Sequence, residues 1–140
     1  MKEKVVRVSV SVYPELLKKF DKFIEEKGFT NRSEAFRALL KKELVEGEWQ
    51  EEEKETIGVL MLVYDHHKSD IVEKLMDAQH HFYPSIITSV HIHLDEDNCV
   101  ETVFIRGKVK EIKEVEKSLS SIKGIKFANL ALATTGREIP

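Results

Sequence analysis

The chain has 140 residues, of which 41% are hydrophobic and 34% are charged, which is enough apolar material for a packed core and too much for a disordered protein. Its longest apolar run, Ile57 to Tyr64, is too short to span a membrane, and its single cysteine, Cys99, excludes an intrachain disulfide framework. The net charge of −3 divides into a basic head (residues 1–42, 11 Lys and Arg against 6 Asp and Glu) and an acidic remainder (residues 43–140, 11 against 19), which predicts two units with different partners.

The basic head is typical of one strand followed by two helices. Valines alternate with polar residues over 5–12, which predicts a half-buried strand. Pro14 suits the first turn of a helix with apolar residues at helical spacing, and Gly28 suits its C-terminal cap. The run from Asn31 to Glu34 resembles a capping box and predicts a second helix. The apolar stripe of that helix consists of Ala35, Phe36, Leu39, Leu40 and Leu44.

A single strand in about 40 residues cannot complete a domain by itself, because its backbone groups need a second strand and the segment is short for independent folding. The simplest solution is a homodimer in which two chains pair their strands. Such a two-stranded ribbon fits the DNA major groove and would present Arg7, Ser9 and Ser11 twice. Asn31 and Arg32 open the second helix, where they could hold a phosphate, and Arg37 is a further predicted phosphate contact. The alternative is that the ribbon only dimerises.

The remainder of the chain predicts a second unit after an acidic connection at residues 47–55. Its strands are expected at 57–64, 86–93, 99–106 and 125–133, and its helices at 69–81, capped by Ser69, and at about 110–122, ended by Gly124. The order βαββαβ is that of a ferredoxin-like sandwich. The predicted class is therefore α+β, with domains at 1–46 and 56–140 joined by a linker at 47–55.

Histidine and cysteine form the second signal in the sequence. Alternation over 86–93 puts His91 and His93 on one face, and Ile86, Thr88, Val90 and Ile92 on the other. If the chain turns back through 94–98, His93 faces Cys99 and His91 faces Glu101, so that two imidazoles and a thiol share a face. A closed metal site needs a fourth ligand, for which His80 or His81 is nearest. Zn²⁺ would want a tetrahedral site and Ni²⁺ or Cu²⁺ would accept planar donors, and spacing does not decide between them.

Two other histidines, His66 and His67, are expected to be exposed at a strand end, with a weaker metal site as the alternative. The sequence contains no hydrolytic triad, P-loop or dinucleotide-binding fingerprint, so we expect a protein that is not an enzyme. The signal-peptide pattern is absent from the N-terminal residues, and together with the lone cysteine this predicts a cytoplasmic location.

Several of these elements occur together in one known family. They are the strand Arg7 to Ser11, the helix opening Asn31 to Ala35, the pair Gln79-His80, and His91-Ile92-His93 followed by Cys99. Over nearly its whole length the sequence resembles the nickel-responsive transcriptional regulators of the NikR type. The resemblance implies a ribbon-helix-helix DNA-binding domain followed by an ACT-like βαββαβ domain, assembled as a homotetramer (a dimer of dimers).

The resemblance also implies roles for particular residues. His91, His93 and Cys99 match three nickel ligands from one chain, and His80 matches the fourth, from a neighbouring chain. Gln79 and Glu101 match partners that orient the ligands. Arg7, Ser9 and Ser11 match the base-reading positions.

The function implied is that of a Ni²⁺-dependent regulator binding a palindromic double-stranded DNA operator, most plainly a repressor of nickel-uptake genes. The alternatives are a regulator that senses another metal or a small molecule, and a metal-storage or metalloenzyme module.

Overall fold

The computed structural model describes residues 4–68 and 70–140, and the chain divides into two compact units, one ending at Leu40 and the other starting at Lys41. In the first unit, helix α1 (Pro14–Lys27) begins with its predicted proline and ends at Gly28, whose φ of 76° is the left-handed conformation that glycine adopts without strain. Helix α2 (Arg32–Glu48) follows after a short turn. Both predicted helices of the head are therefore confirmed.

The start of α2 is capped by side chains in the predicted manner. The Asn31 side-chain oxygen accepts a hydrogen bond from the Glu34 backbone N–H at 2.9 Å. Glu34 in turn accepts one from the Thr30 backbone N–H at 2.8 Å, which lowers the pKa of its carboxyl group. The first backbone N–H groups of a helix have no carbonyl of a preceding turn to accept their hydrogen bonds, and these side chains accept them instead. The helix can therefore begin here.

The predicted N-terminal strand is not formed within the single chain. Residues 4–13 belong to no helix and pair with no strand among the described residues, and Val6, Val8 and Val10 are between 66% and 80% exposed. The strand predicted over 5–12 pairs with the same strand of a second chain, because its backbone needs a partner strand, so within one chain it stays a prediction. The alternation is nonetheless visible. Val8, Val10 and Val12 line one apolar groove with Leu16, Leu17, Phe20 and Phe36.

The second unit is a four-stranded antiparallel sheet with the order β2-β3-β1-β4. Its strands are β1 (Glu55–Asp65), β2 (Ile86–His93), β3 (Asn98–Lys108) and β4 (Ile125–Leu132), and its helices are α3 (Ile71–His81) and α4 (Val109–Ser120). The element order and class predicted from the sequence are confirmed. Ser69, the predicted cap of α3, lies outside the described residues.

One face of this sheet packs against the helices. Alternate residues of β1 and β3 point into the core, among them Leu60, Leu62 and Val103, which are fully buried. They contact the apolar stripe of α4, which consists of Val109, Ile112, Val115 and Leu119. The apolar face that the 3.6-residue period gives to the helix and the one that the two-residue period gives to the strands thus pack together in one core.

The other face of the sheet is apolar but open in the single chain. Met61, Val90, Ile92 and Phe127 are between 42% and 53% exposed there. The strand registers put them on the same face as Val59, Val63 and Phe104. Such a contiguous apolar surface is typical of a protein–protein interface.

A bulge corrects one detail of the predicted strand faces. The register of β2 against β3 shifts between Ile86 and Thr88, so that Ile86 lies opposite Ile105 and packs against the core. The prediction that grouped Ile86 with Thr88 on one face is wrong, because the extra residue of a bulge reverses the alternation. None of the helices in the described part of the chain is long and apolar enough to cross a membrane.

Candidate functional site

The β2–β3 hairpin brings the predicted histidines and the cysteine together. His93 pairs with Cys99 and His91 with Glu101 in the antiparallel register, which confirms the predicted pairing. The turn is held by the Asp95 carboxylate, which accepts hydrogen bonds from the backbone N–H groups of Asp97 and Asn98. Those bonds lower the pKa of Asp95 to about 2. The turn therefore fixes the register on which the site depends.

The Cys99 thiol lies at the centre of a cluster of nitrogen donors. Its Sγ is 3.0 Å from His66 Nδ1 and 3.5 Å from His93 Nδ1, and the three donor atoms all lie within 4.8 Å of one another. Burial raises the pKa of the thiol, and the carboxylates of Asp65, Asp95 and Glu101 raise it further. A cation that stabilised the thiolate would offset this cost. Imidazole and thiolate are donors that both nickel and zinc accept, so this set fits a transition metal.

His91 lies next to this cluster. Its ring is 5.0 Å from the His93 ring and stacks on the Tyr64 ring at 6.1 Å with an interplanar angle of 23°. It is not one of the three donors that converge most closely. The aromatic contact orients the His91 imidazole beside the cluster.

A buried carboxylate joins the strands to the end of α3. Glu101 is only 8% exposed and accepts a hydrogen bond from the Tyr64 hydroxyl at 2.8 Å and another from the Gln79 side-chain amide. Burial raises the pKa of Tyr64, and the hydrogen bond to Glu101 raises it further. Because Gln79 precedes His80, this network fixes the segment of α3 that carries His80.

His80 does not join the sulfur cluster of its own chain. It lines an open pocket of about 520 Å³ together with His66 and His67. Its assignment as a ligand supplied by a neighbouring chain stays a prediction.

Sequence reasoning missed the position of His66. β1 pairs Tyr64 with Cys99 and Asp65 with Asn98, so the next residue lies at the same end of the sheet, where its backbone N–H donates to the Asp97 carbonyl at 3.0 Å. The predicted ferredoxin-like fold places β1 beside β3, but the spacing of His66 and Cys99 along the chain does not give the register of that pair, on which their contact depends. The half-buried His66 therefore differs from the exposed residue that was expected.

The residues predicted to contact DNA lie in the first unit. Arg7, Ser9 and Ser11 are exposed. Arg32 forms two hydrogen bonds with Asp21, from Nε to Oδ1 at 2.9 Å and from Nη2 to Oδ2 at 3.0 Å, which lower the pKa of Asp21. Arg37 is exposed on α2. The phosphate-contact assignments of Asn31, Arg32 and Arg37 stay predictions.

Comparison with known proteins agrees with both units. Residues 57–133 match the NikR C terminal nickel binding domain, and residues 6–47 match the ribbon-helix-helix protein, copG family. A relative from Thermococcus onnurineus is 46% identical over 97% of this chain and 99% of its own length, and one from Geobacter sulfurreducens is 44% identical over 96% of each. Both are provisionally named nickel-responsive regulators.

A solved structure of an uncharacterised protein from Thermotoga maritima covers 58% of this chain and all of its own, with a TM-score of 0.52 and 13% identity, and supports the fold alone. The two domain matches and the full-length identity of the relatives carry the assignment. The chain belongs to the family of nickel-responsive regulators that join a ribbon-helix-helix domain to a NikR C-terminal nickel-binding domain.

Proposed function

We propose that this protein is a nickel-dependent, sequence-specific DNA-binding regulator that represses nickel-uptake genes in the cytoplasm. The observation that carries the proposal is the register of the β2–β3 hairpin, which puts the thiol of Cys99 opposite His93 and next to His91. Along the chain, this donor set follows a basic unit that matches the ribbon-helix-helix family. The protein acts by binding and not by catalysis.

The proposed ligands are His91, His93 and Cys99 of one chain and His80 of a neighbouring chain. Bound nickel would supply a strong link between the two chains through three imidazoles and one thiolate. The hydrogen bonds of Glu101 to Tyr64 and Gln79 hold the strands and the end of α3 in place around it. Stacking on Tyr64 orients His91.

The proposed assembly is a homotetramer, a dimer of dimers. Three features support it. The apolar open face of the sheet offers a surface for a second copy, and the valines of residues 4–13 lack burial within one chain. The position of His80 outside the cluster of its own chain also fits a ligand that reaches another chain.

The proposed DNA contacts lie on the N-terminal segment and near the start of α2. Arg7, Ser9 and Ser11 read bases in the major groove of a palindromic operator, as paired strands of a ribbon do. Asn31, Arg32 and Arg37 contact phosphates near the start of α2. Because Arg32 is held by Asp21, we propose that it contributes to phosphate binding as a fixed and not as a mobile charge.

One observation favours a second metal as a competitor. His66, His93 and Cys99 converge within one chain, and two imidazoles with one thiolate also suit Zn²⁺. Nickel and zinc would then differ in the histidine that joins His93 and Cys99 of the same chain, which is His91 for nickel and His66 for zinc.

The test measures affinity for a DNA duplex selected from a randomised pool by the nickel-loaded protein, at one fixed salt concentration, with Ni²⁺, Zn²⁺, Co²⁺ or no metal. We expect the tightest binding with Ni²⁺, together with a thiolate-to-nickel charge-transfer absorption. Cys99→Ala should abolish both effects, and the control His81→Ala, which alters an exposed imidazole next to His80, should keep them. Equal DNA affinity with and without metal would contradict the proposal.

A further inference from the structure

The indole of Trp49 is enclosed in the second unit directly after α2 ends. Its side chain is 2% exposed and belongs to the same buried cluster as Leu60 and Ile112. It lies inside the acidic segment that the sequence marks as an inter-domain connection. Burial of so large an apolar side chain stabilises the position of the residue that carries it. The end of α2 is therefore attached to the core of the second unit and is not part of a flexible linker.

Gly58 provides the space for this indole. A Cβ on Gly58 would lie 3.0 Å from Trp49 Cη2 and 3.0 Å from Ile112 Cγ2, closer than most side-chain carbons approach each other, so the indole or its neighbours would have to shift. The sheet therefore has a gap at Gly58 that the indole fills. We call the space lined by Gly58, Ile112 and Leu130 the indole socket.

Residues 133–138, the segment after β4, form polar contacts with the end of α2 and the residues that follow it. The Trp49 Nε1–H donates to the Ala133 carbonyl at 2.9 Å, and the Thr134 hydroxyl donates to Glu48 Oε2 at 2.9 Å. Glu48 is only 8% exposed. Lys54 forms ion pairs with Glu48 and with Glu138. The buried indole and these partly buried hydrogen bonds together give the end of α2 a single position on the second unit.

We propose that Trp49 is the positioning residue through which the metal-binding unit controls the DNA-binding head. The proposal rests on the proposed function. α2 begins in the head, and its last residue directly precedes Trp49, whose indole fills the socket. A conformational change in the second unit can therefore reach the head through α2 only if the end of α2 stays fixed to the second unit. Nickel can change DNA affinity only if it binds more tightly to one arrangement of the DNA-binding heads than to another. If the end of α2 were loosely attached, the heads could adopt either arrangement whether or not nickel is bound, and this coupling would be lost.

The experiment compares DNA affinity with and without Ni²⁺ for the full-length chain, with the selected duplex as probe. For the unsubstituted protein, nickel should raise the affinity by roughly 5–150-fold, the usual range of allosteric coupling. Trp49→Ala should remove most of that increase while nickel affinity, measured by chelator competition, stays within about twofold. Trp49→Phe, which keeps the ring and loses only the indole N–H, should restore part of it.

Two further variants separate positioning from stability. Leu119→Ala opens the same core about 10 Å farther along α4 than Ile112, so it should lower thermal stability and keep the nickel effect. Thr134→Val replaces the hydroxyl that donates to Glu48 and accepts from the exposed Gly136 backbone N–H, and it should weaken the effect without unfolding the chain. The emission of Trp49, the single tryptophan, reports directly whether the socket is closed in each folded variant that retains it.

The outcomes distinguish the two proposals. If nickel leaves the DNA affinity of the unsubstituted protein unchanged, the proposed function fails. The positioning role of Trp49 is wrong if nickel raises the DNA affinity of Thr134→Val and of either Trp49 variant as much as that of the unsubstituted protein. In that case the proposed function stands. Loss of the nickel effect in Leu119→Ala as well would overturn the positioning role in favour of general destabilisation.

Discussion

The thiol of Cys99 has two histidines in contact and a third beside them, and the choice among them defines the metal site. Only His66 and His93 converge on the thiol in the single chain, whereas the proposed nickel set uses His91. His91 stacks on Tyr64 and lies opposite Glu101 in the strand register, whereas His66 has neither contact. These contacts orient the His91 imidazole and favour it as the ligand.

A direct comparison of two alanine variants tests that choice. His91→Ala should weaken nickel binding by more than about 100-fold, because loss of a ligand exceeds the 10–100-fold loss typical of outer-shell changes. His66→Ala should weaken it much less. Chelator competition at fixed pH gives both affinities. A greater loss in His66→Ala would show that nickel uses the three donors that already converge.

Arg7 is the residue from which sequence preference should come. Its exposed side chain can make a bidentate contact to guanine, and loss of such a contact costs about 1–3 kcal/mol at each of two half-sites. Arg7→Ala should therefore bind the selected duplex and a scrambled duplex almost equally, with nickel affinity unchanged. The control Arg37→Ala should weaken both duplexes alike and reduce the salt dependence. Full discrimination by Arg7→Ala would contradict the base-reading role.

The helices α1 and α2 are joined by one well-formed ion pair, between Asp21 and Arg32. The hydrogen bonds from Arg32 lower the pKa of Asp21, so the charged form stabilises the folded head. This contribution is present above the unfolded pKa of about 4 and is lost as the pH falls through the lowered folded pKa.

Asp21→Asn should therefore lower the melting temperature at pH 7, and the difference from the unsubstituted protein should shrink near pH 3. Glu15→Gln, which removes an exposed ion pair with Lys18 on α1, is the control and should change little at either pH. Scanning calorimetry of both variants provides the comparison. A difference that is equal at the two pH values would mean that the pair does not stabilise the head.

Elements whose pattern is local could be predicted from the sequence, and contacts that depend on distant pairing could not. The caps at Gly28 and Asn31 and the pairing of His93 with Cys99 needed only short-range rules, and they are confirmed. The contact of His66 with Cys99 required the register between β1 and β3, two strands that are far apart in the sequence. The burial of Trp49 required a gap at Gly58, and the bulge near Ile86 leaves no mark in a two-residue alternation.

At the scale of the whole molecule, the open apolar face of the sheet should be an interface between copies of the chain. Phe127 lies on the edge strand β4, opposite Val63 of β1, and is 53% exposed. Phe127→Lys puts a charge into this face and should reduce the oligomer to a smaller species in sedimentation velocity experiments. Ser121→Lys adds the same charge at the exposed end of α4 and should leave the assembly intact. An unchanged oligomer in Phe127→Lys would exclude this face as the interface.

The central claim is that a metal shared between chains controls DNA binding, and co-expressed mixtures of two defective chains test it most directly. His80→Ala chains retain Cys99, and Cys99→Ala chains retain His80, so neither forms a complete site alone. In randomly mixed tetramers, about a quarter of the sites should combine an intact His80 with an intact Cys99. We expect the mixture to recover part of the nickel-dependent affinity for the selected duplex, which neither variant shows by itself. Assembled mixtures with no recovery would contradict a site shared between chains.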